Sequence, residues 1–218
     1  MVRDLATGLG GIGSFLIAIV LFVPPPPHPE PPAAPTSDEA AAWMRETRLL
    51  HDYQATVHVL GSGALAVFAW GLSERVRAGA PAAARLVLAS GLAVAVYTAI
   101  AMGLVLAADE TVDQIGGTVA LGVYGFAWIL HFQTAIFTAL FAAAAGAAVL
   151  ASRALPPWVA WTALLVGAVN GLAVLVGPTP VAFVKFPAFL AFMVWVLATG
   201  IAAFVRPAPI SRAPDSAS

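Results

Sequence analysis

His51 and His58, seven residues apart in "RLLHDYQATVH" (48–58), are the first residues along the chain whose types and spacing could do chemistry. Asp52 adjoins the first of them, and a third histidine, His131, follows in a later apolar segment. Imidazole and carboxylate together make a donor set for zinc or another transition metal. Imidazole alone moves protons near neutral pH. The metal reading takes His51, His58, His131 and Asp52, with Asp109, Glu110 and Asp113 as alternative acids. A ligand-pocket reading takes His58, His131, Asn170, Gln133, Gln54, Tyr97 and Lys185. The plain reading leaves the histidines as polar residues at a membrane surface, with no cofactor bound; it is the first expectation, and a transition metal such as zinc the second.

Those side chains sit in an unusual setting. Hydrophobic residues make up 61% of the 218 and charged residues 10%, with a mean hydropathy of +0.91. Soluble chains carry roughly 25% charge, so lipid must be the solvent for most of this one. A net charge of −1 offers nothing to nucleic acid, and the lack of Cys removes disulfides, thiolate nucleophiles and iron–sulfur ligation.

A spanning helix needs about 20 mostly apolar residues. Six segments qualify, at 5–23, 53–72, 86–107, 129–150, 158–176 and 186–205, and facing lipid they must be helical. The fold expected is an all-α six-transmembrane-helix bundle forming a single membrane domain. The apolar run before 129 is longer than a span needs, so 112–127 is expected to lie at the interface or protrude from it. "TSDE" (36–39) has capping-box spacing, which starts an outer helix over 38–50 that either lies on the surface or runs directly into the second span. "PPPPHPEPPAAP" (24–35) is expected to be an extended polyproline spacer.

Loop charge sets the orientation. One side carries seven cations against three acids, and the other three cations against eight acids. By the positive-inside rule both termini are cytoplasmic, with 24–52 outside and a disordered tail over 207–218. The implied location is a bacterial inner membrane. The rival for the first span is a cleaved signal peptide, although no small-x-small site closely follows Val23.

Within the spans, polar residues gather toward the outer leaflet. His58 lies about five residues into the second span and Asn170 about seven into the fifth, while the inner halves carry only hydroxyls such as Ser62, Ser90, Thr162 and Thr199. This predicts a pocket open to the outside above a dry inner half. His51, Gln54 and His58 share one helix face. Small residues recur every four positions at Gly91, Ala95, Ala99, Gly103 and Ala107, and again at Ala163, Gly167 and Gly171. Such stripes let helices approach closely, so the third and fifth spans are expected in the packed interior, with a homodimer interface as the rival reading.

Sharper enzymes fail on pattern. "GSGA" (61–64) invites an intramembrane serine protease, but Ser62 lies on the second span and the sixth has no histidine. A two-haem membrane cytochrome needs histidine pairs at both leaflets; only a single haem between His58 and His131 survives. The segments "GALAVFAWGLSERVRAG" (63–79) and "ASRALPPWVAWTALLVGAVNGLAVL" (151–175), with the Pro- and acid-rich outer loop, resemble a group of uncharacterised six-span bacterial membrane proteins. That resemblance implies the topology and no activity. The function expected is binding or assembly by a non-enzymatic membrane protein, with a small metal- or proton-handling enzyme or transporter as the rival.

Overall fold

A computed structural model describes the backbone of residues 2–22, 31–175 and 182–205, and the side chains of all of these except 21–22 and 182–186. The expectations for 24–30, 207–218 and the Lys185 side chain lie outside the described residues. The elements are α1 (Val2–Phe22), α2 (Ser37–Val76), α3 (Pro81–Ile115), α4 (Gly117–Ser152), α5 (Pro157–Leu175) and α6 (Ala182–Val205), with no strand among the described residues. All six helices are long and apolar enough to cross a membrane.

Local chemistry sets the boundaries. The Thr36 side chain accepts from Glu39 N–H and the Glu39 carboxylate accepts from Thr36 N–H, so the expected capping box starts α2. Pro81 and Pro157 open α3 and α5 at the positions where a missing N–H costs nothing. Gly116, at φ +84°, turns the chain from α3 into α4 without a linker. Arg153 ends α4 in the left-handed region at φ 54°.

Helix length separates two layers. At 1.5 Å per residue, the 40 residues of α2 reach about 60 Å. That is twice the ~30 Å hydrocarbon thickness. The 35 residues of α3 and 36 of α4 also overshoot, whereas α1, α5 and α6 are close to one bilayer long. The excess of the three long helices projects together at the Gly116 end. Of the alternatives for 38–50, the structure has the helix running directly into the second span as one continuous α2; residues 112–127 form the end of α3 and the start of α4 around Gly116. Trp43 and Met44 of α2 pack there on Val112 of α3 and Ala120 of α4. Gly117 meets the backbone of Ser37 and Ala41 so closely that a Cβ has no room.

In the spanning layer each helix packs on the next in sequence, α6 closes back on α1, and α2 also touches α4. Phe68 of α2, Phe141 of α4 and Phe192 and Trp195 of α6 meet at the centre, mostly edge to face, with centroids 5.9–6.2 Å apart. One close seam is not marked by the glycine stripes. Gly10 of α1 abuts the Phe68 backbone, and Gly71 of α2 abuts the Thr7 backbone. The expected stripes are half used: Gly91 packs on Ala69 and Phe141, and Gly167 on the α4 backbone, while Gly103 and Gly171 meet nothing within 4 Å. Accordingly α5 lies at the periphery, on α4 and α6, with Trp161, Leu165 and Leu172 exposed.

The half of the bundle away from Gly116, expected to be dry, is not. Arg75 and Asp4, both read from sequence as loop charges, are buried at the opposite end of the bundle. Arg75 Nη1 donates to Asp4 Oδ1 at 2.5 Å and to the Ala203 carbonyl at 3.2 Å, and its Nε donates to the Ala154 carbonyl at 3.2 Å. One guanidinium therefore ties α1, α2, α6 and the α4–α5 turn together through its Nε and Nη1.

Candidate functional site

The helix that carries His51 and His58 presents them to different neighbours. On the projecting layer, Arg45, Arg48 and His51 follow each other at intervals of three, on one face of α2. They pair with Asp113, Glu110 and Asp109 of α3 respectively. The first two pairs are largely exposed. The third is closed: His51 is fully buried, the Asp109 side chain is 1% exposed, and His51 Nδ1 lies 2.9 and 3.1 Å from its two carboxylate oxygens. Tyr124 lies over the imidazole at 4.6 Å between centroids and Trp43 borders it at 5.4 Å. Of the acids considered for His51, the fold selects Asp109 rather than the adjacent Asp52.

Two turns along α2, His58 faces a cavity instead. Its volume is about 90 Å³, and side chains from α1, α2, α3, α4 and α6 line it. The polar lining is Ser14, His58, Ser62, Thr98, His131 and Thr134. Leu65, Phe192 and Met193 are among the apolar walls. The His58 and His131 rings stand 4.9 Å apart between centroids, nearly perpendicular at 87°. His58 Nδ1 lies 2.7 Å from the Gln54 carbonyl. A carbonyl only accepts, so Nδ1 carries the proton and Nε2 holds the electron pair of the neutral ring. The Nδ1 of His131 is buried with no hydrogen-bond partner among the described residues.

Three of the four lining hydroxyls have their proton committed. Ser62 donates to the His58 carbonyl at 2.8 Å, Thr134 to the His131 carbonyl at 2.7 Å and Ser14 to the Gly10 carbonyl at 2.7 Å. Each back-bond satisfies a donor that would otherwise be costly in apolar surroundings. The basic nitrogen electron pairs that the lining offers a ligand are those of the two imidazoles.

The other residues of the ligand-pocket reading disperse. Asn170 is buried away from the cavity, where its Nδ2 donates to the Val166 carbonyl at 3.0 Å and the Ala188 carbonyl at 3.3 Å, holding α5 to α6. Tyr97 turns outward against Phe137, while its neighbour Thr98 enters the lining. Gln133 is exposed, and Gln54 contributes its carbonyl. The four-residue metal reading does not assemble either: among the described residues no three His, Cys, Asp or Glu side chains come together. Nor does a haem fit between His58 and His131. With metal–nitrogen bonds of about 2 Å, opposed imidazoles stand roughly 6 Å apart between centroids, wider than the 4.9 Å found.

Sequence reasoning missed Met193, Thr98, Thr134 and the Asp4–Arg75 pair. Thr134 was within reach, since it follows His131 by three on the same helix face. Nothing local distinguishes Met193 from other apolar residues of α6. No family model, curated protein or solved structure matches the chain.

Proposed function

We propose that this protein is a multi-pass protein of a bacterial inner membrane, with both termini cytoplasmic, that binds a small ligand between His58 and His131. The observation that carries this reading is the convergence of the two imidazoles on one cavity lined by five helices. Size narrows the ligand. One water needs at least ~10–15 Å³ of such volume, and an apolar cavity of about 150 Å³ takes benzene. At about 90 Å³ the site suits an ion with its ligands or a molecule of a few heavy atoms. Drug-sized ligands occupy ~300–1,000 Å³. The role is capture rather than catalysis: the cavity lining includes no carboxylate among the described residues to serve as general base beside the histidines.

The test is recovery of the ligand from detergent-purified protein, by elemental analysis and by mass spectrometry of an organic extract. About one equivalent of a species retained by the wild type and absent from the His58→Leu/His131→Leu double variant supports the reading. A wild type that retains nothing beyond the double variant, and binds nothing saturably when challenged with metals and small amphiphiles, overturns it.

A further inference from the structure

We infer that the ligand of this site is a monovalent copper ion, Cu(I), held by His58, His131 and the thioether of Met193. The inference rests on the pocket reading above and gives its ligand a chemical class.

The donor inventory makes the selection. Among the described residues the lining contributes two imidazoles, one thioether and four hydroxyls, three of which (Ser14, Ser62 and Thr134) donate to helix carbonyls. It contributes no carboxylate, and the chain has no Cys at all. A thioether is a soft, neutral ligand that prefers Cu(I), whereas imidazole accepts copper and zinc alike. Structural zinc takes four ligands, commonly with thiolate or carboxylate among them. Here all the donors are neutral, so the ion's whole charge would stay in an apolar cavity. The cost of burying charge grows as its square, so a divalent ion pays about four times the penalty of a monovalent one. Neutral soft donors in an apolar cavity therefore favour Cu(I) over Zn(II).

Geometry agrees. Two imidazoles on one ion with ~2 Å metal–nitrogen bonds at a tetrahedral angle set their centroids about 5 Å apart. The His58 and His131 centroids are 4.9 Å apart. The His58 Nδ1–H donated to the Gln54 carbonyl is the outer contact that fixes a metal-binding imidazole's tautomer and leaves Nε2 to the metal. His131 Nδ1, buried without a partner, is a donor atom the protein itself does not use. Met193 is buried on α6 across the same cavity. The other two described methionines, Met44 and Met102, belong to separate buried clusters, with Trp43 and Ala55 respectively.

The experiment is a competition at fixed ascorbate between detergent-purified protein and bicinchoninate, which colours on binding Cu(I), with Zn(II) binding measured in parallel. The wild type should withhold one equivalent of Cu(I). Met193→Leu should weaken that at least tenfold, and His58→Leu or His131→Leu should abolish it. X-ray absorption on the copper-loaded wild type should show a sulfur neighbour, which in a chain without Cys must be methionine; this reading needs no variant to fold. A spectrum with nitrogen and oxygen alone, or Cu(I) held no better than by the histidine double variant, overturns the inference. If Cu(I) is not held but an organic species or Zn(II) is retained in a His58-dependent way, the pocket stands and the copper assignment falls. If nothing is retained, both fall.

Discussion

His51 and His58 occupy one helix, two turns apart, yet they do opposite work because different helices face them. His51 meets Asp109 of α3 under Trp43 and Tyr124, with both members of the pair buried. His58 meets His131 of α4 across a cavity, with no carboxylate in its lining among the described residues. A buried imidazole given a carboxylate becomes a structural fastener, since separating the two strands a polar group in low dielectric. A buried imidazole given only another imidazole keeps donor capacity unspent. The residue type is the same, and the partner supplied by the tertiary fold decides the role. The Asp4–Arg75 pair at the far end belongs with His51: it is a buried ion pair, and its hydrogen bonds link three helices.

The comparison breaks most readily at Asp109. Asp109→Ala should cost about 3 kcal/mol, because it leaves the buried His51 Nδ1–H without its acceptor. In detergent this appears as a drop in melting temperature. The double variant His51→Leu/Asp109→Leu should recover most of the loss, since replacing both members of a buried pair by apolar groups is often near neutral. A single variant no less stable than the double would show that the pair holds nothing together. His58→Leu should behave differently, changing stability by under about 1 kcal/mol, because its ring faces a cavity and, among the described residues, its hydrogen bond is to a carbonyl of its own helix. Equal losses at His51 and His58 would erase the distinction between fastener and ligand site.

The split in roles explains what could be read beforehand. Six spans follow from apolar length alone, and the Thr36–Glu39 capping box from a four-residue motif, because both are local in sequence. His58 and His131 were legible as a pair since each is a polar residue in the outer-leaflet half of its span. Asp109 was one acid among several, and only the α2–α3 register picks it. Met193 was illegible, because a thioether in an apolar helix looks like packing until the fold brings it to the cavity that two imidazoles also line. Asn170 misled for the converse reason: its amide is spent on the carbonyls of Val166 and Ala188. The position of α5 was misjudged because a small-residue stripe marks a face capable of close approach, and here a neighbour covers only part of it.

The smallest effect lies at the tip of the projecting layer, and it sharpens the contrast between exposed and buried contacts within that layer. The backbone N–H of Thr36, and then its hydroxyl, hold the fully exposed Glu39 carboxyl below its ordinary value of 4.5. A carboxylate with a depressed folded-state pKa stabilises the fold above its unfolded pKa, and that contribution is lost as pH falls through the folded one. Acidifying from pH 6 to below 4 should therefore loosen the first turn of α2. Amide hydrogen exchange at residues 38–40, with rates corrected for the intrinsic pH dependence, should show less protection at the lower pH. Glu39→Gln should remove most of that pH dependence while leaving the His51–Asp109 region protected. The exposed Arg45–Asp113 and Arg48–Glu110 pairs should matter little to either result, since such surface pairs contribute roughly 0–1 kcal/mol. If the whole projecting layer opened with the cap, its stability would reside at the capped tip, and His51 and Asp109 would not be its fastener.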